Sequence, residues 1–472
     1  MSIKLNKLLK LTTFSIFMTY TSIFNIRATE VESAKFVPLF NINSSSKNFN
    51  SLKLGQGSRI NVYAQDASTS DPTAYYSSSS GLFSPSKPPF IKQVLIFQDL
   101  TNGFSDLDME IATLPGVKFT PDSNGDFTSY KEGSPEFDAA HTYARVRETY
   151  DMWYATLDSI VQEYKDPIAK KKIQYWDGRG YGKLMIYPHA GLDANAYYSR
   201  LDTTRSLKFF DFISQEKKVA LRKLISTCRA SDVVAHEAGH SILDIVCPAY
   251  WDADTLQVGG IHESFGDLSA LFFILVQDDL VDKLVVSTKG DLHRGNFASF
   301  MAEEFGRGLG YSSSLRDADK DYKMNEVEPE VHAIAEVFTG AIYDTLVSGF
   351  EDAFDAYRGR YRMAQMLQDT GDFLRRLTLH ALIKNDNANT TYQSIAKTMI
   401  DLSDVYAQSA SPYVKDFNWK VYLHDEFSRR DVLTDPSPKM LKAARMETNL
   451  DKEYGICGTH YHKIEKEEEQ GI

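Results

Sequence analysis

The stretch His236-Glu237-Ala238-Gly239-His240 is preceded by Asp232-Val233-Val234-Ala235 and followed by Ser241-Ile242-Leu243-Asp244-Ile245-Val246. The apolar residues on both flanks predict a buried helix. Residues four apart share one helical face, a turn apart, so the imidazoles of His236 and His240 can converge on one ion. Glu237, one residue further, points slightly off that face, towards water rather than into the ligand set. Gly239 weakens a helix interior by about 1 kcal/mol. A residue with no side chain also admits a closely packed neighbour.

Downstream comes Gly260-Ile261-His262-Glu263-Ser264-Phe265-Gly266-Asp267. Glu263 and Asp267 are four apart and share a face, while Ile261, Phe265, Leu268, Leu271, Phe272 and Leu275 form an apolar face. Carboxylates beside such a stripe are costly to bury unless they are paired or bound to metal. A three-ligand zinc site needs a third protein ligand, which Glu263 can supply. Asp267 can accept the other N–H of a ligating imidazole and so fix its tautomer.

Outward from this pair the chain changes character. Ala140, Tyr143, Ala144, Val146, Tyr150, Trp153 and Tyr154 recur at helical spacing and predict a long amphipathic helix from Phe137. Strand-like runs are Val94–Phe97, Val117–Phe119, Leu184–Tyr187, Ala196–Tyr198 and Leu207–Phe212, with glycines at 178, 180, 182 and 191 marking turns. After Leu221 nearly everything reads helical, to about Arg445. The fold class expected is α+β, a β-containing N-terminal part feeding a mainly helical C-terminal part, with the metal helix at the junction.

These residues resemble the thermolysin-like gluzincin zinc metallopeptidases. The resemblance rests on Asp232–Glu237 continued by His240–Asp244, on Glu263 with Asp267, and on shorter pieces between about 137 and 350. It implies that His236, His240 and Glu263 hold one Zn2+ and that Glu237 is the general base of peptide hydrolysis. Asn195-Ala196-Tyr197-Tyr198 resembles the edge strand that holds an extended substrate in that family. Ser314-Leu315-Arg316 resembles the segment whose Arg contacts a substrate carbonyl. Val331-His332 with Phe338–Ala341 resembles the segment whose His steadies the oxyanion, and Tyr250 matches the second oxyanion donor. Glu326 and Glu328 are the nearest candidates for the carboxylate partner of His332. The family's clustered calcium carboxylates find no counterpart, which leaves Ca2+ open. Relatives often have Asn where His262 stands, and 22 residues separate His240 from Glu263, a slightly longer gap than usual.

The 472 residues carry 52 Lys and Arg against 64 Asp and Glu, a formal charge of −12, with no basic run. That argues against a nucleic-acid partner and leaves a peptide or protein substrate as the implied one. Lys4, Lys7 and Lys10 precede an apolar stretch from Leu11 to Phe24, with Ala28 before Thr29 offering a cleavage point. This predicts an export signal over 1–28, a secreted or periplasmic protein, and no stable membrane insertion after cleavage. No later stretch looks long and apolar enough to span a bilayer. The remaining divisions expected are a loop- and strand-rich region over 29–136, a zinc-binding subdomain over 137–275, a helical subdomain over 276–445 and a charged tail over 446–472. The region 29–136 suits a propeptide, an integral domain or an inhibitory lid equally. Cys228 and Cys247 flank the metal helix and are too far apart to pair, while Cys457 could join either or all three could be free. Two other functions share these motifs: a zinc hydrolase of non-peptide substrates, and an inactive secreted binding protein on the same fold.

Overall fold

Ser134 accepts a hydrogen bond from the Phe137 amide at 3.2 Å, Pro135 opens the first turn, and Glu136 and Asp138 place negative charge there. These residues start α1 (Pro135–Tyr164), which ends where Lys165 turns left-handed. The computed structural model describes residues 57–67, 90–112, 116–178, 181–201, 203–215, 222–434 and the backbone of 454–455. The expected export signal, most of the Ser-rich stretch before 90, Gly180, Cys457 and the charge run Glu465–Gln470 lie outside them.

Residues Leu54–Ile472 form one compact unit. Its strands lie mostly before the metal helix and its long helices mostly after, an α+β arrangement. Strands β1 (Ser58–Tyr63) and β2 (Ile91–Ile96) pair antiparallel. The end of β1 docks on α1, where Arg145 Nη2 donates to the Tyr63 carbonyl at 2.6 Å. It also reaches the metal helix, since Ser231 Oγ donates to the same carbonyl at 2.9 Å.

A five-stranded sheet runs β11–β5–β6–β4–β3, made of β3 (Met109–Ile111), β4 (Leu184–Tyr187), β5 (Ala196–Leu201), β6 (Thr204–Phe209) and β11 (Tyr454–Gly455). Strands β3, β4 and β6 are parallel, while β5 and β11 run antiparallel to their neighbours. The crossover from β3 to β4 is α1 plus α2 (Pro167–Gly178). The expected strand Leu207–Phe212 is two strands: β7 (Asp211–Ile213) leaves the sheet to pair with β8 (Leu224–Ser226). The break falls at Phe210, whose amide is held by Thr227 Oγ1 at 2.9 Å and whose carbonyl is held by the Thr227 amide at 3.0 Å. Val117–Phe119 is irregular rather than a strand. Its apolar character serves packing, with the Phe119 ring 4.9 Å from that of Phe104.

The helical part consists of α3 (Ser231–Val246), α4 (Leu256–Leu275), α5 (Asp278–Thr288), α6 (Val331–Tyr357), α7 (Met363–Lys384), α8 (Tyr392–Gln408) and α9 (Trp419–Arg429), with single-turn helices between them. Short strands β9 (Phe300–Met301) and β10 (Arg316–Asp317) interrupt it. Helix α4 corrects one expectation. By length and composition its 20 residues could cross a membrane, and all but Gln257 are buried. Trp153 of α1 stacks on Phe265 at 4.5 Å and donates to Ser269 Oγ at 3.0 Å, which makes α4 the core of the unit. Cys228 and Cys247 are buried free thiols.

Candidate metal centre

Helices α3 and α4 cross at two glycines. A Cβ on Gly239 would fall 2.5 Å from Ser269 Oγ and 3.2 Å from the Gly266 Cα. A Cβ on Gly266 would fall 2.6 Å from the His236 ring. The missing side chains let the helices close until the carboxylates of α4 reach the imidazoles of α3. His236 Nε2 and His240 Nε2 are 3.0 Å apart. Glu263 Oε2 is 3.4 Å from the first and Oε1 is 3.7 Å from the second.

The donor set fits a divalent metal ion. Two bonds of about 2.0–2.1 Å to a tetrahedral ion put their ligand atoms roughly 3.4 Å apart. Glu263 is 1% exposed, and its carboxylate faces the imidazoles of His236, His240 and His332 at 3.3 to 3.7 Å. A buried carboxylate in that condition calls for a cation. His236 Nδ1 donates to Asp267 Oδ1 at 2.9 Å, which turns its Nε2 towards the cluster. Burial opposes charge on both rings, but Asp267 and Glu263 draw His236 up to about 9. Burial and the neighbouring His236 charge hold His240 well below the ordinary value.

Arg316 stands behind this arrangement. Its Nε lies 3.1 Å from Asp267 Oδ2 and its Nη2 lies 2.5 Å from Oδ1. Burial would raise the Asp267 carboxyl, and the Arg316 and His236 charges outweigh that, holding it at about 2. Arg316 thus fixes the carboxylate that orients His236. Glu237 is fully buried on α3, about 100° round the helix from His236.

His332 joins the centre from the first turn of α6. Its Nε2 is 3.3 Å from Glu263 Oε2. Its Nδ1 lies 2.6 Å from Glu330 Oε1, so its carboxylate partner is Glu330 rather than Glu326 or Glu328. Glu330 also caps α6, its Oε2 accepting from the His332 and Ala333 amides at 3.0 and 3.1 Å. One side chain thereby starts the helix and orients its histidine. Burial lowers His332, but the Glu263 charge and the Glu330 bond raise it to about 9. Two further groups escaped the sequence reading. Glu336, one turn along α6, is pushed up to about 7 by burial against the opposing charge of Arg316. His262, fully buried, sets its ring 5.8 Å from that of His240 and 6.0 Å from Trp251. The i, i+4 relation of Glu336 to His332 was a usable signal for the first. Only the departure from Asn marked the second.

Two expected substrate-side residues have partners within the fold. Tyr250 is fully buried, and its hydroxyl donates to the carbonyls of Leu382 and Asn385 near the end of α7, both at 3.1 Å. It ties the short turn of helix after α3 to the end of α7. Asn195 precedes β5, where its Oδ1 accepts the Ala196 amide at 2.9 Å. Strand β5 is not an edge: β6 pairs on one side, and on the other Tyr454 and Gly455 pair with Tyr198 and Tyr197. The physical reason is that an open row of amides and carbonyls is satisfied by an extended segment of the same chain. Asn195 and Ala196 lie beyond that paired stretch.

The start of α3 carries its own acidic group. Asp232 Oδ2 accepts the Ala302 amide at 2.7 Å, and Asp66 Oδ2 accepts the Glu304 amide at 2.9 Å. Burial and the Asp66 charge push Asp232 up to about 7 and Glu304 up to about 8. Among the described residues, metal-ligand atoms converge within 4.8 Å in three sets: His236–His240–Glu263, Asp138–His189–Cys228 and His293–Asp319–Asp344. Asp138 in the second is already occupied by Arg229, through contacts of 2.8 to 3.0 Å. Compared with protein-family models and with curated proteins, the chain matches none.

Proposed function

We propose that the protein is an exported zinc metallopeptidase of the thermolysin-like gluzincin kind, with His236, His240 and Glu263 as the zinc ligands. One observation carries the reading: two imidazoles and a buried carboxylate converge across a glycine crossing, with Glu237 on the next position of the same helix. Bound there, zinc would supply Lewis acidity and lower the pKa of a water towards neutrality. Glu237 is the residue suited to take that water's proton and hand it to the departing amine. His332, oriented by the Glu330 carboxylate at its Nδ1, is suited to donate to the developing oxyanion. Arg316 orients Asp267 and through it His236, and any contact of its guanidinium with a substrate carbonyl is additional to that task.

The test is metal content together with hydrolysis of a casein-type substrate, for wild type and Glu237→Gln, before and after chelation. The expected result is zinc in both proteins, chelator-sensitive cleavage in wild type, and at least a ~100-fold slower rate in the variant. Full activity in Glu237→Gln would sink the mechanism, and absence of metal would sink the site. The pairing of β5 with Tyr454–Gly455 favours a second reading, hydrolysis of small amides or esters that need no strand addition. Zinc in both proteins with ester cleavage alone would select it.

A further inference from the structure

The turn after α5, the loop after β10 and the middle of α6 meet at His293, Asp319 and Asp344. One ligand atom from each lies within 4.8 Å of the others. We propose that these three side chains form a second metal site, for a first-row divalent cation such as Zn2+ or Mn2+, independent of the centre on α3 and α4.

Asp344 supplies the strongest argument. It is only 5% exposed, and its Oδ1 has no hydrogen-bond partner. Its Oδ2 takes Arg429 Nη2 and Arg430 Nη2, both at 2.5 Å. Those guanidinium groups are shared with Asp321 and Glu426, so their charge is already answered. Two guanidinium groups thus face three carboxylates, Asp321, Asp344 and Glu426, and the buried Oδ1 of Asp344 keeps no donor of its own. Asp319 meets His293 Nδ1 at 2.7 Å. Burial and the charges of Asp344 and Asp317 raise Asp319 despite His293, and Asp319, Asp344 and Glu351 raise His293 against its burial. Both shifts have the sign that added positive charge would relieve.

The arms are held before any ion arrives. Asn296 Nδ2 donates to the Leu292 and Arg294 carbonyls at 2.9 Å and to Tyr343 Oη at 2.9 Å, which pins the turn carrying His293 to α6. Asp317 Oδ1 accepts the Asp319 amide at 3.1 Å, which fixes the loop. The ligand set selects the class of ion. Calcium and magnesium take oxygen donors, whereas one imidazole with two carboxylates suits zinc or manganese. The spacing Asp317, Asp319, Asp321 and Glu328 imitates a calcium loop, but Tyr322 stands where such a loop needs Gly and Asp321 faces Arg429. An ion here would clamp the loop that joins Arg316 to Glu330 and His332.

The test counts metal in the full chain, stripped of metal and then equilibrated with Zn2+ or, separately, Mn2+. Wild type should bind two equivalents of Zn2+. His236→Ala/His240→Ala should keep one, and Asp319→Asn or His293→Gln should each lose one while keeping the other. Added Mn2+ should raise the melting temperature of the double His variant and leave that of the same variant carrying Asp319→Asn unchanged. If the double His variant binds no ion, or if Asp319→Asn and His293→Gln both retain two equivalents, the proposal is overturned. Because it is read in variants lacking the central ligands, that result stands apart from any failure of the peptidase reading.

Discussion

Asp267 joins two neighbours at once, His236 through Oδ1 and Arg316 through both oxygens. Removing one partner of such a buried group strands the other, which typically costs about 3–5 kcal/mol. His189 shows a different balance at the same scale. Its Nε2 lies 3.2 Å from Asp138 and its Nδ1 lies 2.9 Å from Asp211. Burial lowers this imidazole, but the two carboxylates raise it to about 9. A His raised in the folded state adds stability that is fully present below its unfolded pKa of about 6.5 and is lost as pH rises through the folded value. The expected contribution is on the order of 2–3 kcal/mol. Thermal unfolding of wild type and His189→Asn from pH 6 to pH 10 should therefore show their difference shrinking above about pH 7 and closing near pH 10. Parallel curves across that range would contradict the assignment.

At the scale of elements, the crossing of α3 and α4 decides whether a metal centre exists. Each helix is legible in the sequence, the first from its flanking Val, Ile and Leu residues, the second from the apolar stripe beside Glu263 and Asp267. Their approach depends on Gly239 and Gly266 together. Gly266→Ala adds one methyl group against a ring held on its other side by Asp267, so the helices must separate or the ring must move. Overpacking of this kind costs about 1–3 kcal/mol, and the loss of convergence should weaken metal binding by at least ~10-fold. Equilibrium dialysis with zinc measures the second effect, and unchanged affinity would show that the crossing tolerates a wider spacing. The break at Phe210 was illegible for a related reason. Its apolar run has strand composition throughout, and only Thr227, 17 residues later, bends it.

For the whole molecule, the segment at Tyr454–Gly455 is the least expected feature. It returns from beyond α9 to close the outer side of β5. Deleting residues 451–472 should raise amide exchange across β5 while the α3 amides keep their protection, because only the sheet loses a partner. Equal exchange with and without the segment would mean that this edge is open in solution.

The sequence by itself determined what is local. Spacing of four put two imidazoles on one face and two carboxylates on another, and apolar patterning located α1, α3 and α4 together with β2, β4, β5 and β6. These follow from the 3.6-residue turn and the two-residue pleat, which every residue carries in its immediate neighbourhood. Only the tertiary structure decided which groups meet across the fold. It assigned Glu330 rather than Glu326 or Glu328 to His332, because the helix cap and the ring needed one carboxylate between them. It drew Tyr250 to carbonyls more than 130 residues away, where a buried hydroxyl finds its acceptors. It closed β5 with a distant strand and brought His293, Asp319 and Asp344 together from three elements. Such partners are chosen by burial, since a polar group removed from water must be satisfied by whatever the packed chain places beside it.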